Sequence, residues 1–192
     1  MKRALVAFVV LVVGCGRYKP PLPPEMFAPK AVDPFVVTAR PDGVQFAWTG
    51  SDEDRRGKEL KFVDGYAIQR KTIEETGDET NPKITFETLG FVKDTHVLKR
   101  EELRKEARAE GKIGRTVEAP GELMQFSYLD QTAQNGKTYL YQVVPQNQGG
   151  IDGVVRQVYR VIFKGTSSDI TVLPSQEVLE DENKLDDPGS LS

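Results

Sequence analysis

The sequence has one cysteine and one histidine in 192 residues, Cys15 and His96. A lone cysteine closes no disulfide within the chain, so any exported domain here is held by its core alone. One cysteine and one histidine also supply too few ligands for a zinc site and little material for a nucleophile and its base. His96 lies in a polar inserted loop, is read as having no ligand partner at i±2 to i±4, and is expected to be a surface residue. No apolar run reaches the roughly 20 residues that a membrane-spanning helix needs. There is no basic stripe either: 26 Lys and Arg face 29 Asp and Glu, for a net charge of −3, which argues against nucleic acid as a partner. Gly149-Gly150 precedes a strand-like segment rather than a helix, so it is not a phosphate-binding loop. Asp52, Glu53 and Asp54 are followed at once by Arg55, Arg56 and Lys58, which neutralise them; this is a charged loop rather than a calcium site. The expectation is therefore no catalytic residue, no metal and no cofactor.

What is present begins at the N-terminus. Lys2 and Arg3 precede an uninterrupted apolar run, Ala4 to Val13, the charged and hydrophobic parts of a secretory signal. The run is too short to remain in a bilayer as an anchor. Residues 15–30 carry prolines at positions 20, 21, 23, 24 and 29; without amide donors such a segment favours an extended, semi-stiff tether. At the other end, residues 166–192 include Glu177, Glu180, Asp181, Glu182, Asp186 and Asp187, and Pro174 onward lacks aromatic residues, which reads as an acidic, solvated tail.

Val12-Val13-Gly14-Cys15 resembles the bacterial lipobox: two aliphatic residues, a small one, then the cysteine that takes a diacylglycerol group on its thiol. The resemblance implies cleavage after residue 14 and acylation of the new amine of Cys15. Two or three acyl chains make attachment effectively permanent, because each buried methylene contributes about 0.8 kcal/mol. It implies a cell-envelope location. With Gly16 rather than aspartate after the cysteine, the outer membrane is the expected destination in a Gram-negative host.

Between the two ends, seven segments alternate with period two and are rich in β-branched and aromatic residues: Phe35 to Ala39, Val44 to Thr49, Gly65 to Lys71, Ile84 to Phe91, Phe126 to Asp130, Thr138 to Pro145 and Val154 to Phe163. Asp42-Gly43 and Asn135-Gly136 supply tight turns. Seven short antiparallel strands predict an all-β sandwich over residues 31–165. One stretch, 93–123, is an insertion in which Leu98 to Glu110 predicts a short helix, with Glu101 and Lys105 spaced to pair and Leu98, Leu103 and Ala107 available to rest on the sandwich.

Several of these residues resemble a fibronectin type III domain: Pro34 near the first strand, Trp48 in the second, Tyr66 within Gly65 to Arg70, Tyr128-Leu129-Asp130 leading to Gly136 through Val143, and Asn147 to Gly150 before the last strand. The resemblance implies an immunoglobulin-like sandwich with Trp48 between its sheets. It also implies that Tyr139 is the corner tyrosine whose hydroxyl bonds nearby backbone, with Tyr66 and Tyr141 in the core. A non-catalytic binding module follows, presented by the lipid on Cys15 to an envelope protein or a glycan. Two alternatives remain open. The stretch Cys15 to Pro24 resembles the opening of LptM-type lipoproteins, which assist maturation of the lipopolysaccharide translocon, although Tyr18 and Lys19 depart from that family's lysine and glycine. Fibronectin type III modules also occur as accessories of glycan-degrading enzymes.

Overall fold

The computed structural model describes residues 21–32, 35–73, 85–147 and 149–175. The signal segment 1–14, Cys15, Pro34, Ile84 and residues 176–192 lie outside these. Within them the chain is an all-β, fibronectin type III-like sandwich of nine strands in two sheets, with one α-helix. The strands are β1 (Phe35–Arg40), β2 (Gly43–Thr49), β3 (Gly65–Ile73), β4 (Glu87–Lys93), β5 (Gln125–Asp130), β6 (Thr138–Asn147), β7 (Ile151–Asp152), β8 (Gln157–Phe163) and β9 (Ser168–Pro174). The helix, α1, is His96–Ala109.

One sheet has the order β1-β2-β5, the other β4-β3-β6-β8-β9, with β7 paired to the end of β6, and every pairing is antiparallel. Alternation in the sequence decides which side chains meet between them. Val44, Phe46 and Trp48 point inward from β2, and Tyr139, Tyr141 and Val143 from β6. Phe46 lies 4.8 Å from the Tyr141 ring, Phe35 is edge-on to Tyr159 at 4.6 Å, and Trp48 meets Tyr66 at 5.5 Å. Such tilted and edge-on pairs each contribute about 0.5–1.5 kcal/mol beyond the area they bury. The β1–β2 hairpin turns at Pro41-Asp42, and Gly43 follows because a Cβ there would stand 2.1 Å from the Asp130 carbonyl oxygen.

The sandwich differs from the sequence reading at both ends. Residues 166–175 are not tail: Ser168–Pro174 forms β9 and pairs with β8 along its whole length. Its Ile170, Thr171 and Val172 are β-branched, a strand signal masked by the acidic composition that follows. At the N-terminal side the tether is shorter than 15–30. Pro24–Phe27 is a 3-10 turn, Ala28 and Pro29 are buried, and the Asn147 side chain donates to the Phe27 carbonyl at 3.0 Å. The Arg56 guanidinium sits 4.1 Å above the Phe27 ring. An apolar Met-Phe-Ala-Pro run after the prolines gave this segment something to bury. The seventh predicted strand starts at Gln157 rather than at Val154, since Val155 turns inward to pack with Ala67 and Val144.

Candidate functional site

Register places the chain entry, the β2–β3 loop, the end of β4, α1, the start of β5 and the β6–β8 connection at one end of the sandwich. Gly65 pairs with both Lys93 and Gln146, Thr49 with Gln125, and Phe35 with Trp48. The carboxylates of the β2–β3 loop, His96 and the arginines of α1 converge there.

Their centre is His96, which is not a surface residue: it is 1% exposed. Its backbone N–H donates to Asp94 Oδ1 at 2.8 Å, and its ring Nδ1 lies 2.7 Å from the same oxygen. The other Asp94 oxygen accepts from the Tyr66 hydroxyl at 2.9 Å. His96 Nε2 faces Asp52 Oδ1 at 3.4 Å, an ion-pair distance rather than a hydrogen bond. Asp52 is also held by Arg100, which is buried and donates to the Leu60 carbonyl, while Glu59 joins Arg100 at 3.3 Å and Arg104 at 2.6 Å. Arg104 in turn donates to the Val117 carbonyl at 2.9 Å, tying down the return of the insertion.

This network explains which face α1 buries. The buried helical positions are His96, Val97, Arg100, Arg104 and Ala107, a stripe at i, i+4, i+8 made largely of cations that reach carboxylates on the β2–β3 loop. Leu98, expected against the sandwich, is instead 62% exposed; Leu103 is half-buried and Ala107 buried. The Glu101 carboxylate lies 3.4 Å from Arg104 and does not pair with Lys105, because Arg104 already lies on the buried stripe. The acidic run is partitioned as well. Asp52 goes to Arg100 and His96, Glu53 to Lys30, and Asp54 to Arg56 and the Lys58 amide. Neutralisation comes from Arg56, Lys30 and the helix. Asp94, two residues before His96, was the signal in the sequence for this cluster.

Electrostatically the cluster is a clasp. Burial alone pulls the imidazolium pKa down, but the carboxylates of Asp52 and Asp94 on either side outweigh it and push it up to about 9. Burial likewise works against the Asp52 carboxylate, and His96 and Arg100 reverse that, holding it below its ordinary value. A histidine kept charged between two carboxylates has no free lone pair with which to act as a base. The nearby Ser51 hydroxyl is turned onto the Glu53 carbonyl at 3.0 Å. The arrangement fixes α1 to the β2–β3 loop and offers no nucleophile and base pair. Among the described residues, no three His, Cys, Asp or Glu are grouped to hold a metal ion.

The clasp has a pH signature. The folded pKa of about 9 exceeds the usual unfolded value of roughly 6.5. Its stabilisation is thus complete below about pH 6.5 and fades as pH rises through about 9. Unfolding titrations of the wild type and His96→Gln across this window should show a stability difference that shrinks with rising pH. A difference independent of pH would rule out a charged His96.

A second buried cluster lies at the opposite end, where Asp130 accepts from the Tyr141 hydroxyl at 2.8 Å, from Arg70 at 2.9 Å and from Thr132. Burial raises the Asp130 pKa, and the Thr132 and Tyr141 hydrogen bonds with the Arg70 charge more than offset this, so it stays below the usual range. The Tyr139 hydroxyl accepts the Gln134 backbone N–H at 2.9 Å. Trp48, Tyr66, Tyr139 and Tyr141 are all buried, at 3% exposure or less. Cys15 lies outside the described residues.

Two clefts open at the elaborated end. One, of about 620 Å³, is lined by the charged side chains of Lys30, Asp52, Glu53, Arg55 and Arg156 together with Ala31 and Val154. The other, of about 520 Å³, runs between α1 and the 3-10 turn Gly121–Met124; Leu98, Pro120 and Leu123 form its apolar floor and Lys99, Glu102 and Glu122 its rim.

No protein-family model matches the chain, and no curated protein matches it. Among solved structures it is similar to the kinase region of twitchin from C. elegans, at 11% identity and a TM-score of 0.41, covering 72% of this chain and 17% of that one. It is also similar to the third fibronectin III domain of the human KIAA0343 protein, at 10% identity and a TM-score of 0.36, covering 83% of this chain and 93% of that one. The fold assignment rests on the strand order and register of the chain itself: three strands, β1-β2-β5, facing β4-β3-β6-β8-β9 across an aromatic core.

Proposed function

We propose that this chain is a lipid-anchored, non-catalytic binding module that offers a surface close to the membrane to an envelope protein. The observation that carries this reading is positional. Among the described residues, α1, its clasp and both clefts lie at the end where the N-terminal segment enters. The docked turn at Pro24–Phe27 leaves seven residues between Cys15 and Pro23, so those two lie no more than about 28 Å apart even at full extension. A lipid on Cys15 would thus hold the elaborated end within that distance of the bilayer.

The contact surface is the apolar floor beside α1. Leu98 is 62% exposed, and a clasp of buried cations is an expensive way to hold a helix in place unless its outer face has a use. A photo-reactive residue at Leu98 should give one discrete adduct in intact cells, which Leu123→Glu abolishes, while the same residue at Asn135, at the far end, gives none. Equal labelling from both positions, or none from Leu98, would contradict this surface. The LptM-like alternative places the contacts in Gly16 to Pro24 instead. Replacing that segment with an unrelated spacer of equal length would then abolish the adduct, whereas the module reading expects it to persist.

A further inference from the structure

The edge strand β9 carries a feature that the membrane-proximal surface does not use. Its register sets Ile170 opposite Val161 and Val172 opposite Tyr159, so both side chains lie on the core face of the sheet. Yet they are 38% and 51% exposed, whereas Val161 is fully buried. The reason is the unequal width of the two sheets. The three-stranded sheet ends at β1, whose Phe35 covers Tyr159 of β8 and whose backbone approaches β9 at a few positions only, so the two β9 side chains stay partly open.

The backbone of β9 is equally specific. At one end of the hairpin the Lys164 N–H donates to the Ser167 carbonyl at 2.9 Å, and at the other the Ser175 N–H donates to the Arg156 carbonyl at 3.2 Å. Antiparallel pairs alternate between bonded and non-bonded, so both ends require Asp169, Thr171 and Leu173 to bond to β8. The N–H and C=O groups of Ser168, Ile170 and Val172 therefore face the free edge. Such an edge invites strand addition unless it is blocked. Here the one charged side chain, Asp169, is already held by Lys164 at 2.6 Å, and the proline, Pro174, is the last residue.

We infer that β9 is a homotypic docking edge, at which a second copy of this chain adds its own β9 antiparallel about a two-fold axis through Thr171. The occupant follows from self-complementarity of register and charge. With Thr171 facing Thr171, Ile170 of each copy faces Val172 of the other, so outward-pointing backbone groups meet outward-pointing ones. The four aliphatic side chains form one strip on the core-side face of the sheet, and β-branched cross-strand pairs are favourable. Asp169 faces Leu173, so the carboxylates do not oppose each other, and Pro174 falls at the rim opposite Ser168, where its missing N–H forfeits one bond per side. This inference is independent of the lipid anchor and of the α1 surface.

Register makes it testable. In this arrangement Thr171 and its copy form a non-hydrogen-bonded pair with Cα atoms about 4.5 Å apart, within disulfide range. In the full chain carrying Cys15→Ser, Thr171→Cys should crosslink to a dimer under mild oxidation and Leu173→Cys should not. Adding Ile170→Pro, which removes an outward N–H but no bond to β8, should abolish both that crosslink and concentration-dependent dimerisation in sedimentation, with the circular dichroism spectrum unchanged. Equal crosslinking at 171 and 173, association untouched by Ile170→Pro, or a chain that stays monomeric at all concentrations would overturn the proposal. So would an edge occupied by a strand of a different protein.

Discussion

Replacing Trp48 with alanine should remove roughly 3–5 kcal/mol of stability, the range for truncating a large buried aromatic. A domain of this size has about 5–15 kcal/mol in total, so the loss takes roughly a fifth to all of it. Trp48 is 2% exposed and packs against Phe35, Tyr66 and Phe126, with ring centroids 5.5 to 6.2 Å away. Those three rings come from both sheets, so the cavity would open at the seam between them. Neighbouring rings cannot collapse into it without loosening the Tyr66 hydroxyl from Asp94 and, with it, the clasp that seats α1. Urea unfolding followed by circular dichroism measures the loss, and Trp48→Phe should recover much of it. An unchanged midpoint in Trp48→Ala would contradict the packing described here.

The second large effect concerns location rather than stability. Cys15→Ser should release the protein from membranes or leave an uncleaved precursor, because no other residue can carry a thioether-linked lipid and the apolar run at residues 4–13 is too short to span a bilayer. The change lies before the docked turn at Pro24–Phe27, so the sandwich itself should fold as before. Membrane fractionation together with the melting curve separates the two effects.

How far the sequence disclosed this molecule depends on the physical signal each element left. Period-two alternation marked Trp48, Tyr139 and Tyr141 as facing inward, because a half-buried strand leaves that pattern whatever its partners; Tyr66 came only from the family resemblance, since β3 is buried on both faces at its start. Strand β9 left a weaker trace: Asp169 to Val172 alternates over four residues only, directly before the acidic stretch, and the strand is exposed except at Ser168 and Leu173, which are intermediate. The helix was legible from composition, but its orientation was not. Amphipathic reasoning assigns leucines to the buried face, and here arginines occupy it, since the surface opposite is a loop of carboxylates rather than an apolar sheet. Pairings such as His96 with Asp52 or Arg70 with Asp130 join residues 44 and 60 positions apart and are set by register, which no local window contains. Asp94 beside His96 was local, and its meaning became clear only with the Tyr66 hydroxyl across the sheet.

The account centres on a sandwich tethered to lipid through Cys15, and one measurement addresses that directly: the intact mass and N-terminal peptide of the protein extracted from membranes of its own host. The account predicts a chain that begins at Cys15, carries a diacylglyceryl group on the thiol and is acylated on its amine, and still contains the whole of residues 24–175. A membrane-extracted chain that begins at Met1, or one that retains an unmodified Cys15 thiol, would contradict it.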